Sequence, residues 1–222
     1  MFSHISLEDF ERRTGIETAG LAPVWDSAAR IVSLRDIQEI VSVQAMPLAY
    51  LTRLIYNIGL EGDQGVRPYA GLTIKRLRMD PGGLHVAQTF IERRKYRALL
   101  EDFPCVFDGF CVTRGIAKLT ANIIIGRLAD GTMGIAHYLP PIVEENNGIL
   151  CLLDGTHRNY LIRAAGTTIE SVVIIGVSTP FPCEPQKWPS VRAMDEKPAR
   201  DQRFVNLRSE LFRDVKSIGI DG

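Results

Sequence analysis

The residues best suited to chemistry in this chain form one short turn, Asp154-Gly155-Thr156-His157-Arg158, between an apolar run at 148–153 and a helical pattern. A strand that enters a helix through a glycine directs free backbone N–H groups and the positive end of the helix dipole outward. The planar guanidinium of Arg158 matches a phosphate or a carboxylate. His157 and Asp154 can position or move a proton. The turn therefore predicts an anion site, with a plain Asp-Gly turn in which Asp154 only caps the helix as the alternative.

The segment around this turn resembles the signature box of the ParB and sulfiredoxin-like superfamily. Its parts follow in the expected order: a strand at 140–143, an apolar strand at 148–153, the turn, a helix to Ala165 and a closing parallel strand at 170–176. The resemblance implies a ParB/sulfiredoxin-like mixed sheet and a nucleotide or phosphate site at the turn. The phosphate-binding role that the resemblance implies applies to Asp154, Gly155, His157 and Arg158.

Two branches of that superfamily do not fit the turn as it stands. The redox branch has a cysteine where this chain has Thr156, so sulfinic acid reduction is not expected. The chromosome-partitioning branch has a Gly-Glu-Arg-Arg variant and a following helix-turn-helix domain, so assembly of a partition complex is not expected either. The motif is closest to the DGQHR-type proteins associated with bacterial DNA modification and to ParB-like kinases that phosphorylate free amino acids.

These features together predict a nucleotide-dependent enzyme of phosphate chemistry, either a phosphotransferase or a hydrolase. The backbone N–H groups of the turn, with Gly155, Thr156, His157 and Arg158, would bind the phosphates, and Arg158 would also stabilise charge on the transferring group. His157 or Asp154 would orient or deprotonate the acceptor, a small molecule, a nucleic acid or water. The cofactors expected are a nucleotide of the ATP/ADP or CTP type and Mg²⁺, which offsets phosphate charge.

A different class of function uses the same turn without catalysis. In this alternative the chain is a nucleotide- or DNA-binding regulatory module of the ParB-like type; a third reading is a fold retained for protein association. Asp80 and Glu144 are the two candidate metal ligands. If either carboxylate reaches the turn, the enzyme is favoured over the binding module. The plainer interpretation is that Asp80 starts a proline turn and that Glu144 lies in a solvated connection.

Composition excludes some broad classes. With 222 residues, 45% of them hydrophobic, the chain can bury a core, and 26 basic against 26 acidic side chains leave no net charge for general nucleic-acid coating. Local charge is found in two basic clusters, at Lys75, Arg76 and Arg78 and at Arg93, Arg94, Lys95 and Arg97. Solvated surfaces are the favoured interpretation of both clusters, and contact with phosphate or DNA is the alternative.

The cysteines and the start of the chain predict a reduced, cytoplasmic protein. Cys105, Cys111, Cys151 and Cys183 lack CxxC spacing and nearby histidines, so no zinc site is expected, and Cys151 is predicted to pack in the core. The first residues are charged and lack the apolar core of a signal peptide. Apolar stretches are too short to span a membrane, so no membrane partner is expected.

Periodicity divides the chain into three parts of an α/β (α+β) fold. An N-terminal helical region, 1–65, has predicted helices at 7–13, 31–43 and 45–57. The ParB/sulfiredoxin-like core, 66–178, has a strand at 72–79, a helix at 86–101 and a hairpin of 122–128 and 132–139. A proline-rich arm with a last helix at 204–215 forms 179–222. Phe181 and Trp188 are predicted to dock, and His137 to be a core histidine.

Overall fold

The computed structural model describes residues 4–18, 29–95 and 120–220. In chain order the elements are β1 (Ile5–Ser6), α1 (Leu7–Thr14), β2 (Arg30–Ile31), β3 (Ile37–Ala45), α2 (Leu48–Tyr56), β4 (Gly59–Leu60), β5 (Thr73–Met79), β6 (His85–Val86), β7 (Phe90–Glu92), β8 (Asn122–Leu128), β9 (Met133–Tyr138), β10 (Ile142–Asn146), β11 (Ile149–Asp154), α3 (Thr156–Ala164), β12 (Ile169–Ile175), β13 (Arg192–Met194) and β14 (Arg213–Asp214). The chain is therefore of the mixed α/β class that the sequence predicts.

Contacts within the chain divide it into two compact units. Unit 1 consists of Met1–Gly71, Thr120–Leu139 and Arg213–Gly222, and unit 2 of Leu72–Leu119 and Pro140–Phe212. Each unit has one five-stranded sheet, of order β1-β2-β9-β8-β3 in unit 1 and β5-β12-β10-β11-β6 in unit 2. The boundaries expected from the sequence, at 65 and 178, remain a prediction.

The hairpin predicted at 122–128 and 132–139 is present in unit 1 and is confirmed. Strands β8 and β9 pair antiparallel, and Gly131 takes a φ of 83° in the turn between them. The carboxylate of Asp130 accepts the backbone N–H of Thr132 at 3.0 Å, which closes the turn locally. Because β8 is buried along most of its length, it forms the centre of this unit's core.

Helices α1 and α2 also form close to their predicted positions. Ser6 caps α1 by accepting the N–H of Asp9 at 3.1 Å, and Gly15 ends the helix in the left-handed conformation. Helix α2 buries Leu51 and Leu54, the apolar face that its helical spacing predicts.

The helix predicted at 31–43 is wrong. Part of the segment is a 3₁₀ turn at Leu34–Asp36, and the nine residues of β3, from Ile37 to Ala45, pair antiparallel with β8. Ile40, Val41 and Val43 are β-branched, a type that packs well on a pleated surface and loses side-chain freedom in a helix. Pairing with β8, a strand far away in sequence, decides between the two structures.

His137 is a core histidine, as predicted. It is 4% exposed; its Nε2 lies 2.8 Å from the Tyr50 hydroxyl and its Nδ1 lies 3.3 Å from the carbonyl oxygen of Gly219. The ring of Phe10 stacks on the imidazole with the centroids 5.3 Å apart. Burial lowers the pKa of His137 to about 4, so the ring is neutral near pH 7.

Unit 2 follows the predicted order of strand, turn, helix and strand. Strand β10 pairs antiparallel with β11 and parallel with β12, and β5 pairs antiparallel with β12 along its whole length. One face of this sheet packs Val143, Leu152 and Val173 into a cluster with Trp188, against which Tyr160 of α3 packs. Helix α3 therefore covers that face.

The helix predicted at 86–101 is wrong over 86–92, whereas residues 93–95 are helical. His85–Val86 forms β6, which adds to the sheet beside β11, and Phe90–Glu92 forms β7, which pairs parallel with β13. Partners distant in sequence again outweigh a helical pattern. Residues 96–101 lie outside the described residues, as do Arg97, Cys105 and Cys111.

The arm docks through the two aromatic residues expected. Phe181 and Trp188 are buried, and the indole N–H of Trp188 donates to the Pro81 carbonyl at 2.6 Å. Cys151, as predicted, is in the core, in a cluster that includes Phe181 and Cys183.

The last helix predicted, at 204–215, is wrong. Ser209–Leu211 and Val215–Ile218 are 3₁₀ turns, and Asn206 has a φ of 51°, which interrupts any helix. The backbone N–H of Arg208 donates to the Pro182 carbonyl instead of to a preceding helical turn. Hydrogen bonds to the arm therefore replace helical ones.

Candidate phosphate-binding turn

Gly155 makes the abrupt change from strand to helix. Strand β11 ends at Asp154, Gly155 adopts φ 88° in the left-handed region, and α3 begins at Thr156. A Cβ at Gly155 would lie 2.8 Å from Cβ of Pro141, so a side chain is excluded by contact as well as by φ. The helix starts earlier than its sequence pattern predicts, and Thr156, His157 and Arg158 therefore form its first turn.

The N-terminus of α3 has no side-chain cap. Gly155 offers none, and its carbonyl oxygen accepts two donors from Asn159, the backbone N–H at 3.0 Å and the side-chain amide at 3.1 Å. Asn159 is fully buried and ties the first turn to the glycine. Sequence reasoning missed this residue, although a polar residue four positions after Gly155, on the buried side of the helix, is a readable signal.

Asp154 binds Arg158 and does not cap the helix, so the alternative of a capping aspartate is wrong. The guanidinium Nη2 of Arg158 lies 3.3 Å from Oδ2 of Asp154, one helical turn before it. The two side chains are 13% and 25% exposed, which leaves the pair shielded but within reach of a ligand. An anion that arrives here would meet a guanidinium already held in place.

His157 is neutral and oriented by the backbone. The N–H of Glu92 donates to Nε2 of His157 at 2.9 Å, so the proton of the neutral ring is on Nδ1. The ring of Phe90 meets the imidazole edge-on, with the centroids 6.3 Å apart. Burial is the main cause that lowers the pKa of His157 to about 4; positive charge on Lys95, Arg158 and Lys197 adds to it.

Three cations lie close to His157, and one of them, Arg158, pairs with Asp154. Lys95, Arg158 and Lys197 come from three different segments, and each is close enough to lower the pKa of His157. Lys95 belongs to the second basic cluster of the sequence, for which phosphate contact was the less favoured interpretation. Lys197 carries no local signal, because only the folding of the arm brings it to the turn.

Asp80 is held away from the turn. Its Oδ1 accepts the N–H of Gly82 at 2.8 Å, and it caps the 3₁₀ turn Pro81–Gly83, as its proline-turn interpretation predicts. Asp80 follows β5, and two strands, β12 and β10, lie between β5 and β11 in the sheet. At about 4.8 Å between neighbouring strands, β5 lies roughly 14 Å from the strand that enters the turn.

Glu144 is not in a solvated turn, and that prediction is wrong. It lies in β10, is fully buried and pairs with Cys151 of β11. Its neighbour Val143 packs in the cluster beneath α3. Because successive side chains of a strand point to opposite faces, Glu144 points away from α3 and from the turn.

The first basic cluster is exposed to solvent, which confirms the favoured interpretation of this cluster. Lys75, Arg76 and Arg78 are exposed on β5, the strand at one edge of the five-stranded sheet. Arg78 donates to the Thr168 hydroxyl at 3.3 Å. These cations lie on a different strand from the one that enters the turn, and the candidate site does not use them.

Within 4–18, 29–95 and 120–220, no three His, Cys, Asp or Glu side chains are grouped so that they could hold a metal ion. No helix in those ranges has the length and apolarity needed to cross a membrane. Comparison with protein-family models, with curated proteins and with solved structures finds no match to this chain.

Proposed function

We propose that unit 2 binds the phosphate groups of a nucleotide at the N-terminus of α3 and serves as a regulatory module of the ParB/sulfiredoxin-like type. One observation carries the proposal: a helix start without a side-chain cap has three cations near it, Lys95, Arg158 and Lys197. Uncapped N–H groups, the helix dipole and a preoriented guanidinium are the features that proteins use to bind phosphate. Nucleotide and DNA phosphates share this chemistry.

Binding is favoured over catalysis because three of the four candidate bases are not available at the turn, which leaves only Asp154. Asp80 caps its own turn, and Glu144 points to the other face of the sheet. In His157 the Nε2 lone pair accepts the Glu92 N–H and Nδ1 carries the proton, so the neutral ring cannot accept another. The imidazole fits the role of an Nδ1–H donor to a phosphate oxygen.

A phosphotransferase or hydrolase is the second candidate, and Asp154 favours it. Only Oδ2 of this carboxylate binds Arg158, and the side chain is a quarter exposed, which leaves Oδ1 for an acceptor or a water. Mg²⁺ would be bound mainly by the nucleotide phosphates, since Asp154 is the one carboxylate of the candidate set at the turn. Such an ion would offset phosphate charge during transfer.

The first experiment measures thermal unfolding with ATP, ADP, CTP and pyrophosphate, each with and without Mg²⁺, for the wild type, Arg158→Ala and Arg192→Ala. Arg192 is an exposed arginine of β13 and is the matched control. A ligand that binds only the folded protein at 100 times its Kd adds about 2.7 kcal/mol of stability. We expect a stabilising shift in the wild type and in Arg192→Ala that Arg158→Ala loses.

Asp154→Asn separates the two candidates, because the amide retains an acceptor for Arg158 but loses basicity. If the protein is a binding module, both the wild type and Asp154→Asn bind nucleotide, and neither releases a product. An enzyme releases nucleoside diphosphate or phosphate in the wild type and loses that activity in Asp154→Asn. No shift with any phosphate ligand would refute the site, and a shift that Arg158→Ala retains would place it elsewhere.

A further inference from the structure

A concave site in unit 2 lies apart from α3. It has a volume of about 640 Å³, within the usual range for small-molecule pockets, and lies between the β10–β11 turn and two segments of the arm. Its walls include Asn147, Ile149, Phe181, Glu184, Leu207 and Arg208. The β10–β11 turn is at the opposite end of β11 from Gly155, so this cavity is separate from the phosphate-binding turn.

Two opposite charges line this cavity and are held apart by the arm. Asn206 donates its side-chain amide to Oε2 of Glu184 at 2.7 Å, and Nη2 of Arg208 donates to the Phe181 carbonyl at 2.5 Å. Among the described residues, Glu184 and Arg208 form no ion pair with each other or with another side chain. Each charge is therefore anchored by a neutral partner and can still bind an opposite charge on a ligand.

We propose that this cavity binds a short zwitterionic peptide, with its amino terminus at Glu184 and its carboxylate at Arg208. A guanidinium is suited to a carboxylate, and a carboxylate to an ammonium group. Between these two ends, Phe181, Leu207 and Ile149 offer apolar contacts for side chains. The amide of Asn147 lines the same cavity and can exchange hydrogen bonds with a peptide group.

A peptide, unlike a single amino acid, separates its ammonium and its carboxylate by at least one peptide unit. Glu184 and Arg208 form no ion pair with each other, so a ligand with separated charges suits them. Each further residue moves the ends of an extended peptide apart by about 3.3 to 3.6 Å. Two or three residues fit within a cavity of about 640 Å³.

The test is calorimetric titration of the wild-type protein with Ala-Leu and Ala-Ala-Leu, with free leucine as the short comparison. N-acetyl-Ala-Leu lacks the cation and Ala-Leu-amide lacks the anion. We expect each capped peptide to bind about tenfold more weakly or worse than Ala-Leu, the effect of one lost charge-assisted hydrogen bond. Free leucine is expected to bind more weakly than both peptides.

Glu184→Gln and Arg208→Gln identify which end binds where, with Glu196→Gln and Arg192→Gln as controls on exposed side chains of the same arm. Glutamine at 184 keeps an oxygen that accepts the Asn206 amide, so Glu184→Gln should fold. This variant therefore tests the proposal even if Arg208→Gln is unstable. Glu184→Gln should weaken Ala-Leu about tenfold and leave N-acetyl-Ala-Leu unchanged, a double-mutant cycle between side chain and ligand. Arg208→Gln should weaken binding of Ala-Leu about tenfold and leave binding of Ala-Leu-amide unchanged.

Three results would overturn the proposal: no heat with any zwitterion, capped peptides that bind as tightly as free ones, or free leucine that binds as tightly as the peptides. A cycle that shows no coupling at Glu184 would overturn it too. None of these outcomes depends on nucleotide binding at the turn, because Arg158 is unchanged in every variant. Failure here and failure of the proposed function are therefore distinguishable.

Discussion

Substitution of Gly155 by alanine tests the geometry on which the candidate site depends. Gly155 has φ 88°, where an L-residue costs about 1–2 kcal/mol, and its new Cβ would lie 2.8 Å from Cβ of Pro141. Relief of such an overlap in a packed region typically costs about 1–3 kcal/mol more. We expect Gly155→Ala to lower the free energy of unfolding by about 2–5 kcal/mol, the sum of these two costs.

Gly166→Ala is the matched control, since Gly166 also has a positive φ, 63°, but nothing lies within 4 Å of a Cβ built there. Gly166→Ala should lower the free energy of unfolding by the conformational cost alone, about 1–2 kcal/mol. The difference between the two variants isolates the contact with Pro141.

Urea denaturation measures both variants, followed by the fluorescence of Trp188 in a Trp25→Phe background so that the signal reports on unit 2. Equal losses in Gly155→Ala and Gly166→Ala would refute the steric part of the reasoning. A Gly155→Ala protein as stable as its parent would refute the conformational part as well. Equal slopes of the urea dependence are required for either comparison.

Two further predictions concern buried groups. Burial lowers the pKa of His137 to about 4 against 6.5 for the free ring. The fold therefore favours the neutral form, and this stability is complete above pH 6.5 and is lost as pH falls towards 4, by about 3 kcal/mol. Urea midpoints between pH 7 and 4 should decline steeply for the wild type and for the exposed control His4→Gln, and less for His137→Gln; equal slopes in all three would contradict this. Trp188→Phe leaves the Pro81 carbonyl without its indole donor and should cost about 1–3 kcal/mol, measured by circular dichroism in urea; an unchanged midpoint would contradict the role of that bond.

Local signals predicted the elements whose stabilising contacts lie within a few residues. Ser6 caps α1 through Asp9, and Asp130 closes its own hairpin through Thr132. Trp188 was also predicted to dock, because a large aromatic side chain gains much free energy by burial wherever the arm meets an apolar surface.

Errors occurred where a partner far along the chain decides the structure. The segment at 31–43 has apolar residues at helical spacing, but Ile40 and Val43 pair with β8, more than 80 positions later. The same holds at 86–92, where Val86 pairs with Leu152 and Ile91 with Ala193. Periodicity describes which side of an element is apolar, and it does not identify the strand that completes a sheet.

Adjacent residues are enough to define the turn from Asp154 to Arg158, because they set the left-handed conformation of the glycine and the start of a helix. The tertiary fold sets the electrostatics of this turn: the arm brings Lys197 to it, and β7 supplies the Glu92 N–H that binds His157. It also turned Glu144 away from α3, through the register of β10 with β11. Charge and proton position depend on everything within several ångströms, and segments distant along the chain supply most of those groups.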